Sequence, residues 1–187
     1  MPVQIPQPKE RSLYLPTQVT QASMNDLTKN IISINESDTE IQKLGEIYGM
    51  SYKPDPIKIY IDSYGGELYA CLGLIGIMER SLTQVHTIVT GCAMSCGFII
   101  AITGHKRLCY DHSTFLYHQL SYGHYGKVKD HEDEMVESKR LQALIEKHTL
   151  HYTKLTKEQL KDSYERKTDW FISSKDALKF GIVDEII

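Results

Sequence analysis

No stretch of the 187-residue chain approaches the roughly 20 consecutive apolar residues that a membrane helix needs. Met1-Pro2-Val3-Gln4-Ile5-Pro6 has neither the basic start nor the apolar core of a signal peptide. An excess of one charge is also missing. With 21 Lys and Arg against 24 Asp and Glu, the net charge is −3, so no broad basic field for nucleic acid is expected. Cysteine is scarce. Cys71, Cys92, Cys96 and Cys109 include no CxxC pair, which argues against a zinc ribbon or a disulfide framework. They read as reduced thiols of a cytoplasmic protein. Proline is rare outside the start. Of six, three fall at positions 2, 6 and 8, which marks residues 1–10 as a flexible or extended arm. The remaining residues, 11–187, are long enough for one domain with a sizeable core.

What is present is an alternation of strand and helix signals. Ser12-Leu13-Tyr14-Leu15 reads as a short strand ended by Pro16. Ser23 is placed to cap a helix from Met24, with Leu27, Ile31 and Ile34 at helical spacing. From Asn35 to Tyr52 the pattern weakens to a helical turn or two, interrupted by Gly45 and Gly49. Ile57 to Ile61 alternates and is β-branched, a strand. It runs into Asp62-Ser63-Tyr64-Gly65-Gly66, where paired glycines permit positive φ and a close approach of backbone to ligand. A helix follows, with Leu68, Cys71, Leu72, Ile75 and Met78 on one face.

Val85 to Val89 is a second buried strand. It leads through the small-residue turn Gly91-Cys92-Ala93-Met94-Ser95-Cys96-Gly97 into an apolar helix, Phe98 to Ile102. Ser113 to Tyr117 is a third strand and ends at His118. Ser121 to Gly126 reads as a flexible excursion, with His124 and Tyr125 at the surface. Lys127 to His148 is a long charged helix. Another helix follows around Leu155 to Leu160, capped by Thr156, and a last one from Ser174 to Phe180. Gly181 ends that helix, and Ile182-Val183 forms a closing strand. Such alternation predicts an α/β fold with a mainly parallel sheet, whose chemistry collects at the carboxyl ends of its strands. Gly66, Ser95 and His118 each follow a strand.

Acyl transfer by serine requires a nucleophile, a base, a carboxylate that orients the base, and donors for an oxyanion. Ser95 projects from a strand-to-helix turn, where free backbone N–H groups face a developing negative charge. His118 is the candidate base. Spacing leaves the carboxylate open among Asp111, Asp130, Asp133, Asp162, Asp169 and Asp184.

These segments resemble the ClpP family, the proteolytic subunits of ATP-dependent Clp proteases. Asp62-Ser63-Tyr64-Gly65-Gly66 is similar to that family's N-S-P-G-G turn, with Asp62 for Asn and Tyr64 for Pro. Gly91 to Gly97 resembles its G-x-A-x-S-x-G nucleophile turn. Phe115-Leu116-Tyr117-His118-Gln119 resembles its strand ending in H-Q. Asp169-Trp170-Phe171-Ile172-Ser173, followed by Ala177, Gly181 and Asp184, resembles its C-terminal pattern. Two additional residues, Lys167 and Thr168, stand between Glu165-Arg166 and Asp169. The likeness runs from Arg11 to Ile187.

The resemblance implies a ClpP/crotonase-like fold of repeated β-β-α units with a protruding handle helix, placed at 123–148. It assigns Ser95 as nucleophile, His118 as general base and acid, and Asp169 as the orienting carboxylate, with Asp162 the second candidate. The N–H groups of Gly66 and Cys96 would form the oxyanion hole. It implies two stacked seven-membered rings, a homo-tetradecamer, fed unfolded polypeptide by a AAA+ unfoldase of the ClpX or ClpA type. The arm 1–10 is shorter than the family's axial region. No metal or organic cofactor is implied, since ATP would be used by the partner. Two other readings are a non-catalytic ring subunit or scaffold, and a crotonase-type enzyme acting on acyl-CoA, which shares the fold and the backbone oxyanion hole.

Overall fold

In the computed structural model, residues 10–121, 123, 127–165 and 169–187 are described. The expectations for the arm 1–9, for His124 and Tyr125, and for Arg166 to Thr168 lie outside them. Two short strands, β1 (Ser12–Leu15) and β2 (Gln18–Val19), precede α1 (Gln21–Ile47). The helix starts earlier than Met24. Thr20 is the cap, and Ser23 lies inside the first turn, exchanging hydrogen bonds with Thr20 in a capping box. The weak pattern after Asn35 is also continuous helix. Met24, Leu27, Ile31, Ile34 and Asp38 recur at three- and four-residue intervals and are all buried. Gly45 is tolerated because Met50 O packs where its Cβ would lie.

Asp38 is the polar member of that stripe. Arg11 pairs with it, Tyr52 donates to it at 2.7 Å and Thr83 at 2.5 Å. Burial by itself would raise the carboxyl pKa. The donors from Arg11, Thr83 and Tyr52 outweigh burial and hold it below the ordinary value. The network ties the residue before β1, α1 and the turn at Thr83 together.

The sheet continues with β3 (Ile57–Ser63) and the two-residue β4 (Gly65–Gly66), then α2 (Leu68–Glu79), β5 (Val85–Met94) and α3 (Cys96–Ile102). β6 (Lys106–Cys109) was not legible from sequence, because its KRLC pattern neither alternates nor forms an apolar run. Then come β7 (Thr114–Tyr117), α4 (Val128–Tyr152), α5 (Lys157–Glu165), β8 (Trp170–Ser173), α6 (Ser174–Lys179) and β9 (Glu185–Ile186). The last strand is Glu185–Ile186 rather than Ile182-Val183. Those two residues are buried, and their N–H groups bond back to Ala177 O in closing α6.

The architecture is mixed α/β with a mainly parallel sheet in the order β1-β3-β5-β6-β9. Among the described residues the one antiparallel neighbour is β8, against β7. Ile57, Ile59 and Ile61 are fully buried and alternate with polar residues, as a half-covered strand should. α1 packs on α2, α2 on α3, and α3 on β5 and α4. The apolar run Phe98 to Ile102 is therefore buried along its whole length. Among the described residues no helix is long and apolar enough to cross a membrane.

β5 is longer than the β-branched run suggests. Val85 to Val89 pairs with β3, and its last four residues also pair with β6. Cys92 to Met94 pairs instead with β7. Between them the register with β3 slips: Ile61 opposes Val89, but Ser63 opposes Ala93. Asp62 alone stands against Thr90, Gly91 and Cys92. Asp62 Oδ1 accepts from Cys92 N–H at 2.9 Å, and Thr90 Oγ1 donates to Ile61 O at 3.2 Å. This bulge re-aims the end of β5.

Candidate active site

The re-aimed end of β5 delivers Ser95. Among the described residues Ser95 is the only one other than glycine with positive φ. Its φ of 53° and ψ of −122° are strained for a side chain with a Cβ, on the order of 1–3 kcal/mol. The strain is held from both sides. Ser95 N–H donates to Leu116 O on β7 at 3.1 Å, and Ser95 O accepts from Ile99 N–H at 3.2 Å, opening α3. The Cys96 N–H, in the first turn of α3, has no acceptor within the helix.

The pairing of β5 with β7 also places His118. Met94 lies opposite Leu116, so the strand that anchors Ser95 reaches His118 two residues later. Ser95, His118, Gly66 and Cys96 line one cavity, with Leu68, Ile99 and Ile145 forming an apolar wall. The carboxyl ends of three strands therefore meet there, as the order of elements implies.

Gly66 enters the cavity from β4. Gly65 and Gly66 have φ of 91° and 147°, and the space around each excludes a side chain. A Cβ on Gly65 would lie 2.7 Å from Ser95 Cβ, and one on Gly66 would lie 2.2 Å from Val19 O. β4 pairs in parallel with β2, Gly66 opposite Val19, and the Glu67 N–H donates to Val19 O at 2.9 Å. Successive N–H groups of a strand point to opposite sides, so the Gly66 N–H turns away from β2. The turn is pinned by buried Ser63, which donates to Thr17 O at 3.1 Å and accepts from Gly65 N–H at 3.2 Å. Cys96 Sγ donates to Gly66 O at 3.2 Å and joins the two loops across the cavity.

Asp169 directly precedes β8. Tyr117 lies opposite Trp170 in the antiparallel β7–β8 pair. Continuing that register by one residue sets His118 opposite Asp169. Asp162 sits on α5, and neither carboxylate lines the cavity. Among the described residues no hydrogen bond joins Ser95 to His118 or His118 to Asp169. Nor is there a group of three or more His, Cys, Asp and Glu arranged to hold a metal ion.

Sequence reasoning missed the supporting residues. Ser63 and Asp62 were visible only as members of a turn, and Thr17 and Val19 not at all. Their partners are distant in the chain, so no local pattern marks them.

Comparison with known proteins gives a consistent result. The family model described as Clp protease matches residues 7–187. The ATP-dependent Clp protease proteolytic subunit of Deinococcus radiodurans is 29% identical over 181 residues, covering 96% of this chain and 81% of that protein. Proteolytic subunit 1 of Corynebacterium glutamicum is 29% identical, covering 95% and 79%. Proteolytic subunit 2 of a Synechococcus species is 28% identical, covering 96% and 84%.

Proposed function

The chain belongs to the Clp protease family, and on that footing we propose that it is a serine endopeptidase subunit acting through an acyl-enzyme at Ser95. The observation that carries the reading is the strained, positive-φ Ser95 at a strand-to-helix junction, in a cavity shared with Gly66 and His118. A serine held this way exposes its Oγ and leaves the N–H groups behind it free.

In the proposed mechanism His118 takes the Ser95 proton as Oγ attacks the scissile carbonyl. The N–H groups of Gly66 and Cys96 receive the oxyanion, and each such donor contributes on the order of 3 kcal/mol to the transition state. His118 then protonates the leaving amine, and water activated by the same ring releases the acyl group. Asp169, opposite His118 across the β7–β8 register, fixes the tautomer and orientation of the imidazole. Catalytic hydrogen bonds tighten on substrate binding, so the reading does not require one between Ser95 and His118 beforehand.

Residues 11–187 form the peptidase domain in this reading. The protein assembles as stacked heptameric rings through α4, works in the cytoplasm with a AAA+ unfoldase of the ClpX or ClpA type, and cleaves unfolded polypeptides. It needs no cofactor of its own, the partner consuming ATP.

The test is intact mass after treatment with a fluorophosphonate probe, alongside peptide hydrolysis and native mass. One adduct on the wild type, none on Ser95→Ala, and hydrolysis lost by several orders of magnitude in that variant are expected, with the assembly unchanged. Wild-type turnover in Ser95→Ala would overturn the assignment. An intact ring that never reacts with the probe would favour a non-catalytic subunit.

A further inference from the structure

The chemistry of the site as read above does not use the thiols that lie beneath it. Cys71, in the first turn of α2, is fully buried, and Cys96 begins α3. Cys71 Sγ donates to Cys96 O at 3.6 Å, so the side chain of one cysteine rests against the backbone of the other. Cys96 Sγ in turn donates to Gly66 O at 3.2 Å. A chain of sulfur contacts thus runs from α2, under the nucleophile turn, to the glycine turn.

We propose that Cys71 and Cys96 are a hydroperoxide-reactive dithiol whose oxidation to a disulfide closes the active site. The part of this that concerns closure rests on the serine-peptidase reading. Cys96 is only 5% exposed, but it lines the cavity that holds Ser95, and hydrogen peroxide is small enough to follow water there. The Cys96 thiolate attacks one peroxide oxygen and releases hydroxide, becoming a sulfenic acid. The Cys71 thiol, its proton passing to the departing oxygen, attacks the Cys96 sulfur and forms the S–S bond. Two thiols and one peroxide give one disulfide and two waters.

The four cysteines differ in their fitness for the first step. Cys96 lines the cavity that a small oxidant can enter, as the attacking thiol must. Cys71 is fully buried behind it, which suits a resolving thiol. Burial raises the pKa of Cys92, whose Sγ donates to Ser63 O. Burial and Asp111 push Cys109 up to about 11.

The consequence for the site is geometric. Bonded to Cys71, Cys96 Sγ leaves the Gly66 carbonyl and draws the start of α3 toward α2. The Cys96 N–H and the adjacent Ser95 move with it. Displacement by about 1 Å in such a constellation lowers reaction rates on the order of 100-fold.

The test treats the intact protein with hydrogen peroxide, then combines non-reducing peptide mapping with the rate of fluorophosphonate labelling. A Cys71–Cys96 cross-link, labelling slowed on the order of 100-fold, and recovery with dithiothreitol are expected. Cys71→Ala, with Cys71→Ser as a second variant, should form no cross-link and instead accumulate a dimedone-reactive sulfenic acid at Cys96. No cross-link in the wild type, a Cys92–Cys96 cross-link, or a cross-linked protein that labels at the reduced rate constant would each overturn the proposal. A cross-link in a protein that never labels even when reduced supports the dithiol and overturns the serine-peptidase reading.

Discussion

Replacing Gly66 by alanine isolates the geometry on which the proposed chemistry depends. The new Cβ would lie 2.2 Å from Val19 O, 3.0 Å from Val19 C and 3.0 Å from Val19 N, all backbone atoms. Real Cβ atoms essentially never approach closer than 3.0 Å, so β4 must retreat from β2 by about 0.8 Å or more. The φ of 147° adds backbone strain on the order of 1–3 kcal/mol. The Gly66 N–H travels with the backbone. A shift near 1 Å is enough to lower kcat/KM on the order of 100-fold, comparable with removing an oxyanion donor. The assay is hydrolysis of a fluorogenic peptide together with the rate of fluorophosphonate labelling, and a thermal melt to confirm folding. Gly73→Ala is the matched control. It lies in α2 with nothing within 4 Å of the added Cβ, and should stabilise the helix by about 0.5–1 kcal/mol without altering turnover. A folded Gly66→Ala protein with wild-type kcat/KM would refute the assignment of that N–H to the oxyanion.

Two further outcomes follow from other parts of the molecule. Asp169→Asn should lower kcat by up to about 10⁴-fold, because His118 loses the partner that fixes its tautomer, while Asp162→Asn should leave peptide hydrolysis unchanged; the reverse result would exchange their roles. Asp38→Ala strips Arg11, Tyr52 and Thr83 of their common acceptor and should destabilise the fold by about 3 kcal/mol in urea denaturation. Because the folded pKa of Asp38 is depressed, its contribution is fully present above the unfolded value near 3.9 and is lost as pH falls through the folded value. The gap between wild type and Asp38→Ala should therefore narrow below about pH 4, and a gap independent of pH down to acid unfolding would contradict the ionised pairing.

Local pattern in this chain carried the elements that a short window defines. The alternation of Ile57, Ile59 and Ile61, the apolar run Phe98 to Ile102, and the cap at Thr156 were readable because each depends on neighbours within a turn or a few residues. Order along the chain placed Gly66, Ser95 and His118 after strands, and a parallel sheet gathers such ends. Misplaced boundaries share one cause. α1 persists through Gly45 because Met50 O packs against it, β5 runs on to Met94 because β7 pairs with its end, and β6 exists through β5 and β9. In each case a contact distant in sequence overrides a weak local signal.

What tertiary structure alone decided is the shape of the site. Sequence named Ser95 and His118, but the positive φ at Ser95 is sustained by Leu116 O, and the glycine turn by Thr17 and Val19. Only the β7–β8 pairing, Tyr117 against Trp170, brings the residue before β8, Asp169, next to the residue after β7, His118, in register. The Cys71–Cys96 contact, between residues 25 apart, is likewise a product of α2 packing on α3. A residue's type is written in the chain, whereas its distance to a partner is set by the elements packed between them.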